Sequence, residues 1–140
     1  MIAYIKGKIA YKTHTEVIIE TSNGIGYRIF ISLTTYNQIG GQEDIKLLTH
    51  LVVKEDSHTL YGFWEADELN IFEHLIAVSG VGPSTARVLL SGLSAQDVRN
   101  AIVAENIDIL KSAKGIGPKV AKRIILELKD RIRKDSGAQS

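Results

Sequence analysis

A four-residue turn motif occurs twice in the C-terminal half of this sequence, and it limits the folds which that half can adopt. Residues 80–83 read Gly-Val-Gly-Pro and residues 115–118 read Gly-Ile-Gly-Pro, an offset of 35 positions. The first glycine of each copy allows the left-handed backbone that commonly ends a helix. The proline suits the first position of a following helix, because that position needs no amide donor. The repeat therefore predicts two pairs of helices, each joined by a tight turn.

Each predicted turn is also a candidate phosphate site. The first amides of the second helix have no partner within the helix and carry partial positive charge, so an anion fits there. Lys119, Lys122 and Arg123 follow the second turn, whereas the first turn has only Arg87 and the hydroxyl of Ser84. A single Gly-x-Gly is more typical of a plain helix–helix turn, but two copies between helical patterns favour phosphate binding.

The formal net charge of +1 conceals three regions of different charge. Residues 1–64 carry six basic and six acidic side chains, and residues 65–110 carry two basic and seven acidic ones. Residues 111–134 carry nine basic and two acidic side chains. A charge run is usually a solvated helix face. This basic block surrounds the second turn, however, which favours the electrostatic footprint of a nucleic-acid-binding protein.

The composition is that of an ordinary soluble globular protein, with 44% hydrophobic and 24% charged residues. No apolar run reaches the length of a membrane helix and no signal-peptide pattern is present, so we expect no membrane contact. The absence of cysteine fits a cytoplasmic protein. The four histidines lack metal-ligand spacing, and we predict neither a metal site nor a cofactor: His14, His50, His58 and His74.

Residues 1–64 read as five short strands. Isoleucine, tyrosine and leucine alternate with other residues from 25 to 33, which is the period of two of a half-buried strand. The ranges 2–11, 16–21, 45–54 and 59–64 are similarly rich in β-branched and aromatic residues and are separated by turn signals. This predicts a small barrel with an OB-like fold, and an SH3-like barrel is the alternative. Most of the tyrosines and Trp64 are better explained as filling or edging the core than as a base-stacking platform, because basic residues are not interleaved with them.

Residues 65–135 show the helical period instead. Leu69, Phe72, Leu75 and Ile76 form an apolar stripe. Ser94 followed by Asp97 is a capping-box-like pair that starts another helix. We predict an all-α domain of five helices with ranges of about 67–79, 83–91, 95–105, 108–113 and 118–134, and the start of a flexible linker at 136–140.

Glu55 and Asp56 lie between the two strands predicted at 45–54 and 59–64. Acidic residues are common in turns for local hydrogen-bonding reasons, and the pattern alone indicates a solvated turn. In a nucleic-acid-binding protein, exposed carboxylates would repel phosphates and redirect a strand.

The barrel followed by paired helix–hairpin–helix units resembles the RuvA family, the Holliday-junction-binding subunits of the bacterial RuvAB branch-migration complex. The resemblance covers essentially the whole chain. It includes the opening Met-Ile, the segment 53–63 with its Leu-Tyr-Gly-Phe, both turn motifs, the Leu-Ser-Gly at 90–92, and the range from 115 to the Lys-Asp-Arg at 129–131.

This resemblance implies sequence-independent binding of four-way junctions, held open and nearly square by a tetramer or octamer, in DNA recombination, DNA-damage repair and the SOS response. It implies that the hairpins grip phosphates from the minor-groove side and that Glu55 and Asp56 form a central acidic pin. It also implies the RuvB motor ATPase and the RuvC resolvase as partners. The family has a third domain after a flexible linker that binds RuvB, so we expect this chain to bind junctions but to stimulate the motor weakly. The DNA-binding positions carried over or predicted are Gly80, Gly82, Ser84, Arg87, Gly115, Gly117, Lys119, Lys122 and Arg123.

Two alternatives to a non-catalytic DNA-binding module remain open. One is a helix–hairpin–helix repair enzyme, a glycosylase or nuclease acting on duplex DNA. Such an enzyme needs a catalytic lysine or aspartate in a base-sized pocket, or clustered acidic metal ligands. The acidic residues here are dispersed, and no nucleophile–base pair or Walker loop is visible, so we predict no catalytic residues. The other alternative is a protein scaffold in which both turns are purely structural.

Overall fold

The computed structural model describes residues 1–138, which form two compact units divided between Leu69 and Asn70. The boundary falls within the second helix, a few residues beyond the division into 1–64 and 65–135 that the sequence suggested. The described elements, in chain order, are β1 (Tyr4–Lys12), β2 (Glu16–Glu20), β3 (Gly26–Ile31), α1 (Leu33–Ile39), β4 (Asp44–Val53), β5 (His58–Phe63), α2 (Ala66–Ile76), α3 (Pro83–Gly92), α4 (Ala95–Val103), α5 (Ile107–Leu110) and α6 (Pro118–Ala138).

The five strands of the first unit close into a barrel in the order β1-β2-β3-β5-β4. Neighbouring strands are antiparallel except β3 and β5, which run parallel with Ile29 opposite Leu60. Pairing of β1 with β4 closes the barrel and leaves no free sheet edge. The predicted OB-like five-stranded barrel is confirmed.

The alternating pattern of the strands is the reason that this barrel has a core. In β3, Ile29 and Ile31 are buried, whereas Arg28 is exposed and Phe30 is half-buried, because successive side chains point to opposite faces of a strand. Of the aromatic residues, Tyr61 is buried, whereas Tyr4 and Tyr11 are 55% and 49% exposed. The buried cluster inside the barrel comprises Ile5, Val17, Ile19, Ile29, Ile31, Ile39, Ile45, Leu47 and Leu60.

A short helix in the first unit was missed by the sequence reading, which extended the β3 pattern through Leu33. Helix α1 begins there because the Ser32 hydroxyl accepts a hydrogen bond of 3.0 Å from the Thr35 amide. The helix places Ile39 in the barrel core. The stretch of residues 33–39 is therefore helical, although its first residue fits the alternating pattern of a strand.

A buried carboxylate fastens α1 to the first turn of α2. Glu68 is 4% exposed and accepts hydrogen bonds from Ser32 Oγ at 3.0 Å and from Thr35 Oγ1 at 2.7 Å. Burial raises the pKa of Glu68 above its ordinary value, and the two hydroxyl bonds oppose that rise because they favour the ionised form.

The second unit is all-α, and the five predicted helices are present as α2 to α6, the first of which begins in the last residues of the first unit. The capping box is confirmed, since Ser94 Oγ accepts from the Asp97 amide at 3.0 Å and the Asp97 carboxylate accepts from the Ser94 amide at 3.4 Å. The fourth of these helices, α5, is shorter than the predicted range of 108–113. Helix α6 reaches Ala138, so the predicted linker at 136–140 begins within its last turn, and residues 139–140 lie outside the described residues. No helix in the described part of the chain is both long and apolar enough to cross a bilayer.

Candidate nucleic-acid interface

The two predicted hairpins have the same backbone conformation. Gly80 has φ of +94° and Gly115 has φ of +97°, so the first glycine of each copy adopts the conformation for which glycine was expected. The next residue closes each turn, with the Val81 amide bonded to the Val78 carbonyl at 3.0 Å and the Ile116 amide bonded to the Ala113 carbonyl at 3.2 Å. The 35-residue repeat is therefore a repeat of structure as well as of sequence.

Each hairpin leads directly into a helix that begins with proline. The first helical hydrogen bond runs from Ala86 to the Gly82 carbonyl in α3 and from Ala121 to the Gly117 carbonyl in α6, both at 3.0 Å. The amides between the proline and that first bond have no acceptor within their helix. These amides belong to Ser84 and Thr85 in the first hairpin and to Lys119 and Val120 in the second.

The hairpins pack against each other through equivalent positions of the repeat. A Cβ atom added at Gly80 would lie 3.4 Å from Cγ2 of Val120, and one added at Gly115 would lie 3.2 Å from Oγ1 of Thr85. Val120 and Thr85 are themselves 35 residues apart. Each turn thus rests on the helix that follows the other turn, which fixes the spacing of the two sets of open amides.

The second glycine of each motif is open to solvent. A Cβ atom added at Gly82 or Gly117 would have no heavy atom within 4 Å. Both residues are exposed, whereas the aliphatic residues before them, Val81 and Ile116, are 5% and 4% exposed. The aliphatic residue anchors each turn in the core, and the second glycine leaves its backbone accessible to a ligand.

Two lysines beside the second hairpin are available to an anion. Lys119 and Lys122 are exposed and form no ion pair or side-chain hydrogen bond with any residue that the structure describes. Another basic residue of α6, Lys129, is instead paired with Glu105 at 2.6 Å, and this contact lowers the pKa of the Glu105 carboxyl. The positive charge near the second hairpin is therefore concentrated at the start of α6.

The first hairpin has fewer charges of its own. Ser84 is exposed in the first turn of α3, and Arg87 is half-buried in the same helix. Arg123 was assigned to the second hairpin from its place in the sequence, but its Nη1 donates a hydrogen bond of 3.1 Å to the Ser79 carbonyl beside the first hairpin. Sequence reasoning missed this contact and the Thr85–Val120 arrangement, although the 35-residue period was a signal for the latter.

The acidic pair lies in the first unit, at the turn between β4 and β5. Val53 is opposite His58 in the last pair of the ladder, and the Lys54 amide donates to the Ser57 carbonyl at 2.8 Å. Glu55 and Asp56 are exposed at the tip of this turn. In residues 1–138, no three histidine, aspartate or glutamate side chains converge in a way that could hold a metal ion.

Comparison with known proteins gives matches to both units. Residues 1–62 match the family model described as the RuvA N terminal domain, and residues 72–130 match the SAM-like helix-hairpin-helix tandem. A Holliday junction branch migration complex subunit RuvA from Christiangramia forsetii is 53% identical over 137 residues, which cover 98% of this chain and 70% of that protein. Proteins of the same name from Cytophaga hutchinsonii and Acetivibrio thermocellus are 47% and 51% identical, covering 97% and 96% of this chain and 68% and 67% of theirs.

Proposed function

This chain belongs to the RuvA family, and from that premise we propose that it binds four-way Holliday junctions by their shape, without reading base sequence. The observation that carries the proposal is the pair of equivalent hairpins at 80–83 and 115–118. Each has a solvent-open second glycine and helix-start amides with no acceptor within the helix. The names of the relatives refer to a Holliday junction, and the helix-start amides of the hairpins can bind the phosphates of its duplex arms.

The chemistry of the hairpins suits the DNA backbone. Amides at the start of α3 and α6 donate to phosphate oxygens, and the helix dipole adds partial positive charge at the same place. Lys119 and Lys122 neutralise phosphates and release counterions, a term that does not depend on sequence. Because the two hairpins are held at a fixed spacing, they engage the two sugar–phosphate strands of one duplex arm from its minor-groove side.

Glu55 and Asp56 act as an acidic pin in this proposal. Four copies of the chain assemble as a tetramer, or as an octamer of two such tetramers, and bring four of these turns to the crossover. Their exposed carboxylates repel phosphates, so strands are directed away from the centre and into the arms. The junction is thereby held open and planar.

The chain itself is a non-catalytic subunit in this proposal. The ATP-driven work of branch migration falls to the RuvB motor, and resolution falls to RuvC, in recombination and in the repair of damaged DNA. Residues 1–138 contribute junction binding to the complex.

A comparison of a four-way junction with a linear duplex of the same sequence tests this function. We expect the junction to bind more tightly at every salt concentration, and the logarithm of the affinity to fall linearly with the logarithm of salt concentration. Light scattering of the complex should give the mass of four or eight chains per junction. Equal affinity for junction and duplex, or binding that is independent of salt, would contradict the proposal. Cleavage of either DNA with magnesium and no partner would indicate an enzyme instead.

A further inference from the structure

Arg123 follows the second hairpin in the sequence, but its side chain contacts the first hairpin. The residue lies in α6, which follows the second hairpin, but its Nη1 donates a hydrogen bond of 3.1 Å to the carbonyl of Ser79. Ser79 immediately precedes Gly80, whose φ is +94°. A Cβ atom at Gly80 would lie 3.8 Å from the same Nη1. The guanidinium therefore lies against the reversal of the first hairpin.

The repeat has no counterpart to this contact. The positions 35 residues before and after the two partners are Val88, which has no donor in its side chain, and Lys114. The helix that follows the second hairpin therefore donates a charged hydrogen bond to the first hairpin. The helix that follows the first hairpin has no donor at the equivalent position, Val88. This asymmetry breaks the near-symmetric packing of Thr85 and Val120 against the two turns.

The asymmetry compensates for the lack of basic residues near the first hairpin. Among its own residues from 79 to 92, the first repeat has one basic side chain, Arg87, whereas the second has four over the equivalent range of 114–127. A guanidinium has five N–H donors, so a bond to one carbonyl leaves donors and the full positive charge beside the turn. The position of Nη1 next to Ser79 and Gly80 brings that charge to the hairpin that has fewer charges of its own.

We propose that Arg123 is a positioning residue for the first hairpin, holding the Ser79–Gly80 turn in its binding conformation and supplying it with positive charge. This differs from the role that its sequence position suggests, as a phosphate ligand of the second hairpin. The proposal rests on the proposed DNA-binding function, but the contact itself exists in the free protein and can be tested there.

Hydrogen exchange in the free protein provides the first test. Arg123→Met keeps an unbranched apolar stem and removes the guanidinium with its donors, and we expect faster amide exchange in residues 77–85 with little change in 112–120. Lys122→Met is the matched control, because it removes a charge from the same turn of α6 without a contact to the first hairpin. It should leave exchange in 77–85 unchanged. If Arg123→Met leaves that exchange unchanged as well, the positioning role is wrong, whether or not the protein binds DNA.

Double-mutant cycles for junction binding provide the second test. Gly82→Ala and Gly117→Ala each place a methyl group at the open backbone of one hairpin, the first and the second respectively. We expect Arg123→Met to weaken junction binding about tenfold alone, to add little on top of Gly82→Ala, and to retain its full effect on top of Gly117→Ala, because only residues that act together are non-additive.

The reverse pattern, with coupling to Gly117→Ala and none to Gly82→Ala, would return Arg123 to the second hairpin and overturn the proposal. Unchanged junction binding by Arg123→Met would also overturn it. If the unsubstituted chain fails to bind the junction, the proposed function fails, and the exchange experiment still decides the position of Arg123.

Discussion

Replacing Gly115 by alanine tests whether the second hairpin depends on a backbone conformation that only glycine adopts easily. Its φ is +97°, and the new Cβ would lie 3.2 Å from Oγ1 and 3.5 Å from Cγ2 of Thr85. Holding a residue with a side chain in such a region costs about 1–3 kcal/mol. The lower entropy of alanine in the unfolded chain offsets about 0.4–1 kcal/mol of this cost. We therefore expect the free energy of unfolding to fall by about 1–2 kcal/mol.

Gly117→Ala is the matched control, two residues further along the same turn. Its φ is not in the positive range and its Cβ would meet no heavy atom within 4 Å. Alanine is a poorer N-cap than glycine by about 0.5–1 kcal/mol, and its lower unfolded-state entropy recovers a similar amount. Stability should stay within about 0.5 kcal/mol of the unsubstituted chain, by the same two terms. The methyl group would nevertheless obstruct a phosphate at the amides, so junction binding should weaken at least about fivefold.

Urea denaturation followed by far-ultraviolet circular dichroism measures the first effect, because the helical signal comes mainly from the second unit. A thermal melt should show a lower Tm for Gly115→Ala, by about 4–8 °C for each kcal/mol in a domain of this size. The two substitutions should thus separate, one affecting stability and the other affecting binding. The reasoning is refuted if Gly115→Ala is as stable as the unsubstituted chain, or if Gly117→Ala binds the junction normally.

Three further predictions concern charged groups. Lys119→Ala with Lys122→Ala should weaken binding equally for all DNA sequences and reduce the salt slope by about 2, and a sequence-dependent loss in a titration series would contradict this. Glu55→Gln with Asp56→Asn should raise the affinity for linear duplex and lower the preference for junctions; unchanged preference in competition assays would remove the pin role. Because burial raises the pKa of Glu68, its stabilising contribution is present below the unfolded-state pKa and is lost as pH rises through the folded-state pKa. In urea titrations, Glu68→Gln should therefore become more stable relative to the unsubstituted chain as pH rises above the ordinary pKa of a glutamate, because only the unsubstituted chain loses this contribution. A pH-independent difference would contradict this.

The parts of the fold that follow from local patterns could be predicted from the sequence. The alternating residues of β3 and the capping box at Ser94 depend on residues a few positions apart, so the strand and the helix start were both identified. Helix α1 was missed because Leu33 continues the strand alternation, and its start depends on one hydroxyl, that of Ser32, which has no distinctive sequence signature. The strand pattern predicted the fold class, a small OB-like barrel. The register between neighbouring strands could not be predicted, because it depends on packing across the whole sheet.

In the candidate site too, some features follow from the local sequence and others depend on the fold. The positive φ of Gly80 and Gly115 follows from the motif itself, because the first glycine of each copy ends a helix and glycine adopts the left-handed conformation most easily. The bond from Arg123 to Ser79 joins residues 44 positions apart. Local reasoning assigned Arg123 to the nearest turn along the chain, and only the fold brings it to the other one.

The mutual support of the two hairpins has a consequence for engineering. Since Gly80 rests against Val120 and Gly115 rests against Thr85, neither half of the repeat is a module that can be transplanted alone. A peptide ending before α6 would retain the first glycine-proline turn but lose the surface that shapes it. A graft that is meant to transfer this grip to another scaffold must carry both turns and the helices that follow them.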